Sequence, residues 1–319
     1  MNIQDLFIEL AASYGLKITH LAEDCGLQRV PVCGDKGGKK SGAYSFHSDG
    51  IPAGFIENFK TGQRTTWRNK ESSRMSQEQH HKYLASVRAN QALKKNTIKV
   101  KQAAAAATCQ QLWNCLPVAS NSHPYLVRKG VQAHGLRLLD ELLVVPLRNC
   151  TGELRSWQTI DNNGRKMNQT HGEKKSHYHS IGRPRGLIYV CEGYATGASI
   201  YELTGHAVAV ALDAYNLHSV AKELKVQYQN QEIIIAADND HRKDSNVGLI
   251  KGRSAAVDLD LSLVYPAFEV HQSGSDFNDM ARLSPDRARD CLKRSKKHCL
   301  SSNNLNSSSG SNTQDGQHE

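Results

Sequence analysis

The 319-residue sequence has no apolar run approaching the ~18 residues that a membrane-spanning helix requires, which excludes an embedded chain of helical spans. Its first residues, MNIQDLFIELAASYGL, carry an acid where a secretory signal has a basic region, so they read as an amphipathic helix and a cytoplasmic location is expected. None of the eight cysteines forms a Cys-x-x-Cys pair, and Cys25 and Cys33 lack a second close pair. Reduced thiols are therefore expected, and no zinc is assigned, the histidines at 80, 81, 171, 177 and 179 having no cysteine pair beside them. The pattern Gly-x-x-x-x-Gly-Lys-Ser/Thr does not occur, which argues against an ATP-dependent nuclease or a fused helicase. Aromatic residues amount to only 6%, so Trp67, Trp113 and Trp157 are more useful as core than as platforms for stacked bases.

What is abundant is positive charge. Forty Lys and Arg against 31 Asp and Glu leave a formal charge of +9, a balance that suits a polyanionic partner and serves solubility equally well. Ile3, Leu6, Phe7 and Leu10 recur at helical spacing and predict a helix from 3 to about 23. Tyr44, Phe46, Phe55, Phe59 and Trp67 among turn residues predict a small sheet, closing an α+β module over 1–75. A polar stretch opened by Ser76 and Gln79 as a capping box, with an Ala run at 103–107, predicts a helical connector over 76–116. LLVVPL at 142–147, LRSWQTI at 154–160 and the Asn163-Gly164 turn predict antiparallel strands in a basic module over 117–185. Beyond Gly186 short β-branched runs at 187–191, 207–212 and 232–237 alternate with helices at 195–204, 217–229 and 246–259, and a last strand is expected around Phe268 to Val270. That rhythm over 186–272 predicts an α/β unit with a mainly parallel sheet covered on both faces. A helical segment over 273–298 follows, and the Ser- and Asn-rich tail at 299–319 is expected to be disordered.

Two acidic positions end buried strands: Glu192 after LIYVC, and Asp238 with Asp240 after EIIIAA. In open α/β sheets ligands gather at the carboxyl ends of strands, so the three acids are expected to converge. Converging carboxylates stay ionised together when a divalent cation neutralises them, and hard oxygen donors favour Mg²⁺ or Mn²⁺. The plain alternative is that each acid caps the helix after it. Asp276 and Asp279 either bind a further ion or cap a helix.

The order Glu192-Gly193 then Asp238-Asn239-Asp240, with Asp276-Phe277-Asn278-Asp279 later, resembles the Toprim domain shared by bacterial-type primases, topoisomerases, some nucleases and recombination proteins. The stretches VCEGYATGASIYELTG, AADNDHRKDSNVGLIKGRSAA and GSDFNDMA, with the strands before them, look like the primases of plasmids, integrative elements and phages. The resemblance covers about residues 120 to 290 and implies a four-stranded mainly parallel sheet between helices. It also implies template-directed synthesis of short RNA primers on single-stranded DNA from nucleoside triphosphates, with a separate replicative helicase as a partner and no membrane. Glu192, Asp238 and Asp240 would then hold the metals and catalyse nucleotidyl transfer. Thr196 departs from the pattern, since many cellular primases have an acid there, and no ligand is carried over to it.

A template and a triphosphate need cations. Arg155, Lys166, Lys174 and Lys175 lie just before the acidic sheet, and Lys251 and Arg253, weaker candidates, follow the Asp pair; the plain alternative for all of them is a solvated face. Two other functions use the same residues: a Toprim nuclease that cleaves with the same acids, and a noncatalytic single-stranded-DNA-binding replication factor that keeps them as relics.

Overall fold

The computed structural model describes residues 2–23, 26–48, 51–69, 77–243, 246–269, 271–294 and 296–297. Cys25, Ser76 and the tail at 299–319 lie outside the described residues. The chain divides into two compact units, 1–96 and 97–319.

In the first unit, helix α1 (Ile3–Ser13) precedes strands β1 (Gln28–Val30), β2 (Gly42–His47), β3 (Ala53–Asn58) and β4 (Gln63–Arg68), which form an antiparallel sheet in sequence order. The helix stops ten residues short of the expected 23 because Gly15 turns the chain at φ +79°, after which Leu16 bridges to Val32. Phe7 and Ala11 of α1 pack on Tyr44, Phe46 and Ile56 of the sheet. Trp67 belongs to this core, with its ring centroid 5.6 Å from that of Phe7.

Helix α2 (Gln77–Trp113) follows as one continuous element. Its C-terminal part belongs to the second unit, where Cys109 and Trp113 pack with Val144, Leu154 and Trp157. Then come helix α3 (Pro124–Lys129) and strands β5 (Arg137–Leu139), β6 (Leu142–Arg148), β7 (Leu154–Ile160) and β8 (Lys166–Asn168), an antiparallel sheet in sequence order. The turn between β7 and β8 is held by Asp161, whose Oδ1 accepts from the N–H groups of Asn163 and Arg165 at 2.9 and 2.8 Å.

The remaining elements are β9 (His179–Ile181), β10 (Leu187–Cys191), α4 (Tyr194–Thr204), β11 (Ala207–Val210), α5 (Leu217–Gln227), β12 (Glu232–Ala236), α6 (Val247–Leu259), β13 (Ser262–Val264), α7 (Phe277–Leu283), α8 (Pro285–Lys293) and β14 (Lys296–Lys297). Their sheet runs β14-β13-β12-β10-β11-β9, four parallel strands flanked by antiparallel edge strands. The fourth parallel strand is Ser262–Val264, not the expected segment around Phe268: Leu263 and Val264 are buried beside Ile235 and Ala236, while the Phe268 ring stacks on His241. Alternate residues face opposite layers. Ile188, Val190, Ile233 and Ile235 pack under α5 and α6, whereas Tyr189, Cys191, Ile234 and Ala236 pack against α4, α7, α8 and the inner face of the antiparallel sheet. Full burial of each such side chain contributes about 1.5–3 kcal/mol.

Candidate active site

The parallel register decides where the acids meet. Cys191 lies opposite both Val210 and Ala236, and Ala236 opposite Val264, so the four strands end on one line. Glu192 follows Cys191 directly, Asp238 comes two residues after Ala236 and Asp213 three after Val210, so all three lie in loops at that edge of the sheet.

Glu192 Oε1 and Asp238 Oδ1 are buried and have no hydrogen-bond partner among the described residues. Burial pushes Glu192 up to about 7, helped by the charges of Asp213 and Asp240 and opposed by the Asp238 backbone N–H and Lys166. Asp238 is pushed well above the carboxylate range by burial and then by Glu192, Asp276 and Asp240. Helix α6 begins directly over this pair. A Cβ on Gly248 would lie 2.7 Å from Glu192 Oε1 and 2.9 Å from the Asp238 carbonyl oxygen, so only glycine lets the first turn come this close.

An asparagine network shapes the loop after β12. Asn246 caps α6 by accepting from Leu249 N, accepts from Asp240 N at 3.1 Å, and donates to Asn239 Oδ1 at 2.7 Å. Asn239, itself buried, donates to the Pro266 carbonyl at 2.8 Å. Asp240 Oδ1 is 2.9 Å from Lys243 Nζ. Asp276 is the N-cap of α7, accepting from Asp279 N at 2.8 Å, while Asp279 Oδ2 accepts from Ser275 N at 3.0 Å and its Oδ1 is 3.7 Å from Lys129 Nζ. Thr196 is buried in α4 and hydrogen-bonds Asp276.

The basic residues separate into three situations. Lys166 stands at the acids: its Nζ is 3.7 Å from where a Cβ of Gly193 would be, and its charge acts on both Glu192 and Asp238. Lys174 pairs with Asp213, and Lys251 Nζ sits 4.8 Å from the centroid of the nearby Tyr215 ring. Arg155 is occupied by Glu173 at 2.8 Å and Glu153 at 3.1 Å, while Lys175 and Arg253 are exposed.

Sequence reasoning missed Asp213 and Asn216. Asp213 follows a buried strand as Glu192 and Asp238 do, and that position was the available signal. Buried Asn216 donates through Nδ2 to the carbonyls of Lys174, His177 and Ala211 at 2.8, 3.0 and 3.0 Å, and accepts from Ser176 N at 2.9 Å. It fastens the turn bearing Lys174 to the loop bearing Asp213. Trp157 is buried as expected of a core residue.

Among the described residues no group of three or more His, Cys, Asp or Glu side chains is arranged to hold a metal ion as it stands. The donor set nevertheless suits a hard divalent cation: two buried carboxylates, each with an oxygen that no protein donor satisfies.

Residues 187–285 match the model of the Toprim domain. Beyond that domain, the chain is 29% identical over 92% of its length to a DNA primase TraC of Escherichia coli, and 30% identical over 90% of its length to a second protein of that name and organism. It spans 29% of the first relative and 21% of the second. Among solved structures it is similar to a DnaG primase catalytic domain bound to single-stranded DNA, at 12% identity and TM-score 0.40, covering 65% of this chain and 81% of that one. No helix among the described residues is long and apolar enough to cross a membrane.

Proposed function

We propose that the chain is the catalytic part of a DNA primase, making short RNA primers on single-stranded DNA from nucleoside triphosphates, in the service of replication or transfer of a mobile element. The observation that carries this reading is the buried pair Glu192 and Asp238, with their unsatisfied oxygens at the ends of parallel strands and Lys166 beside them. Glu192 and Asp238 would hold Mg²⁺ or Mn²⁺, with Asp240, here paired with Lys243, as a further carboxylate donor. Such an ion stabilises the attacking and leaving oxygens of an in-line displacement at phosphorus. Gly248 and the α6 N-terminus press on the carboxylates and fix their direction, and that end of the helix favours negative charge. Lys166 offers a cation to a phosphate oxygen on the side of the antiparallel sheet. Asn216 and the Lys174–Asp213 pair keep the neighbouring turn in place. Asp276 and Asp279 act as helix caps in this reading, and Arg155 as part of an ion-pair cluster.

Synthesis is preferred to cleavage because similarity to the named primases extends through the antiparallel sheet before the Toprim domain. A cytoplasmic location and a separate replicative helicase belong to the same proposal. The test is incorporation of labelled ribonucleotides on single-stranded DNA, with Mg²⁺, with Mn²⁺ and with chelator. Metal-dependent short RNA products are expected. Strand cleavage without incorporation would instead establish the nuclease, and neither activity would leave a binding factor.

A further inference from the structure

The antiparallel sheet of the second unit has two faces with different chemistry. Cross-strand partners share a face, so Leu143, Ile160 and Lys166, linked by the pairs Leu143↔Ile160 and Ile160↔Lys166, look toward the Toprim layer. Val144 pairs with Arg137 and Trp157 with Pro146, so these residues look the other way. On that far face lies a cavity of about 400 Å³ whose walls include Trp113, Arg137, Pro146, Arg148, His179 and Ser180.

Arg137 and Arg148 are half-buried, and no ion pair to a carboxylate forms at either among the described residues. Backbone carbonyls hold them instead: Arg137 donates to those of Trp113 and Leu116, and Arg148 to that of Gly152 at 2.9 Å. Both guanidiniums rest on the Trp113 ring, 4.8 and 5.5 Å from its centroid. Burial and the Arg137 charge push the Arg148 guanidinium below its ordinary value, so the two cations repel without a counter-charge. The buried imidazole of His179 is pushed down to about 4, mainly by burial, and adds no charge at neutral pH.

We propose that this cavity binds a phosphate group, held by Arg137 and Arg148, on the face of the sheet opposite the acids. Guanidiniums fixed by carbonyls and an aromatic ring are pre-organised, retain free N–H donors, and match phosphate oxygens in pairs. A phosphate supplies the negative charge that this part of the sheet lacks. Its source is either a free nucleotide or the backbone of a strand passing behind the sheet, and the site does not depend on what Glu192 and Asp238 do.

The test is equilibrium binding to the full chain, without divalent cation, of three probes: inorganic pyrophosphate, ATP and a labelled oligothymidylate. Each is titrated against the wild type, Arg148→Gln and Ser180→Glu, which places an acid on the cavity wall without touching either arginine. Both variants are expected to weaken at least one probe by about tenfold, the scale of one lost charged hydrogen bond. Weaker pyrophosphate and ATP binding identifies a free nucleotide; weaker oligonucleotide binding alone identifies a strand. If Arg148→Gln fails to fold, Ser180→Glu decides alone. Unchanged binding of all three probes to folded Ser180→Glu would overturn the proposal.

Discussion

Glu192 and Asp238 each keep a buried oxygen with no donor among the described residues, whereas Asp276 and Asp279, in the same domain, accept from backbone N–H groups at 2.8 and 3.0 Å. Burial does not separate the pairs, since it also raises Asp276. Donor supply does. A carboxylate oxygen served by a donor has its charge used by the fold, while a buried oxygen left unserved, such as Glu192 Oε1 on a carboxylate that also accepts from the Asp238 N–H, costs the folded state until something else arrives. The same distinction runs through the cations: Arg155 is spent on two glutamates, and among the described residues Arg137 and Arg148 are held by carbonyls and a ring alone.

The largest expected effect comes from neutralising the unserved pair. On the proposed function, Asp238→Asn lowers primer synthesis by about a hundredfold or more, while the unfolding temperature holds or rises because an uncompensated buried charge is removed. Incorporation rates and thermal unfolding on the same preparation check this, and full activity would remove Asp238 from the chemistry. A smaller effect is expected in pH dependence. Glu192 is raised in the folded state, which therefore binds its proton more tightly than the unfolded chain does. Its contribution to stability is full below the ordinary carboxylate range and lost as pH rises through about 7. Without metal, Glu192→Gln should therefore lose less stability than the wild type between pH 5 and pH 8, and Mg²⁺ should shrink the difference. Taking the difference cancels His179, which titrates in the opposite sense. The smallest effect is expected at the served pair: Asp279→Ala should cost about 1 kcal/mol in denaturant unfolding and leave synthesis nearly unchanged. A collapse of synthesis in that variant would erase the contrast between the pairs.

Sequence reading reached the parallel sheet because runs such as LIYVC and EIIIAA are buried on both faces and have no other use. It placed the fourth strand too late, since three residues at 262–264 carry less pattern than an isolated Phe268 among polar neighbours. It ran α1 past Gly15 because apolar residues continue to Leu21 while the backbone turns. That Glu192 and Asp238 come together was legible from their place after apolar strands. Lys166 and Arg155 were not distinguishable, because the difference is Glu173, 18 residues from Arg155 and brought to it only by folding. Asn216 was silent for a similar reason, its partners lying up to 42 residues away.

Asn278 also joins distant parts of the chain. Its side chain donates to the carbonyl of Lys129, 149 residues earlier, and to Ser199 Oγ. Lys129 is the last residue of α3, and no turn within that short helix can satisfy the carbonyl in its place. Closing so long a loop is entropically unfavourable until many other contacts exist, so this bond belongs to the end of folding. As the chain leaves the ribosome, the antiparallel sheet is made early but completed late: α3 waits, with one carbonyl open, for a helix synthesised after the whole parallel sheet.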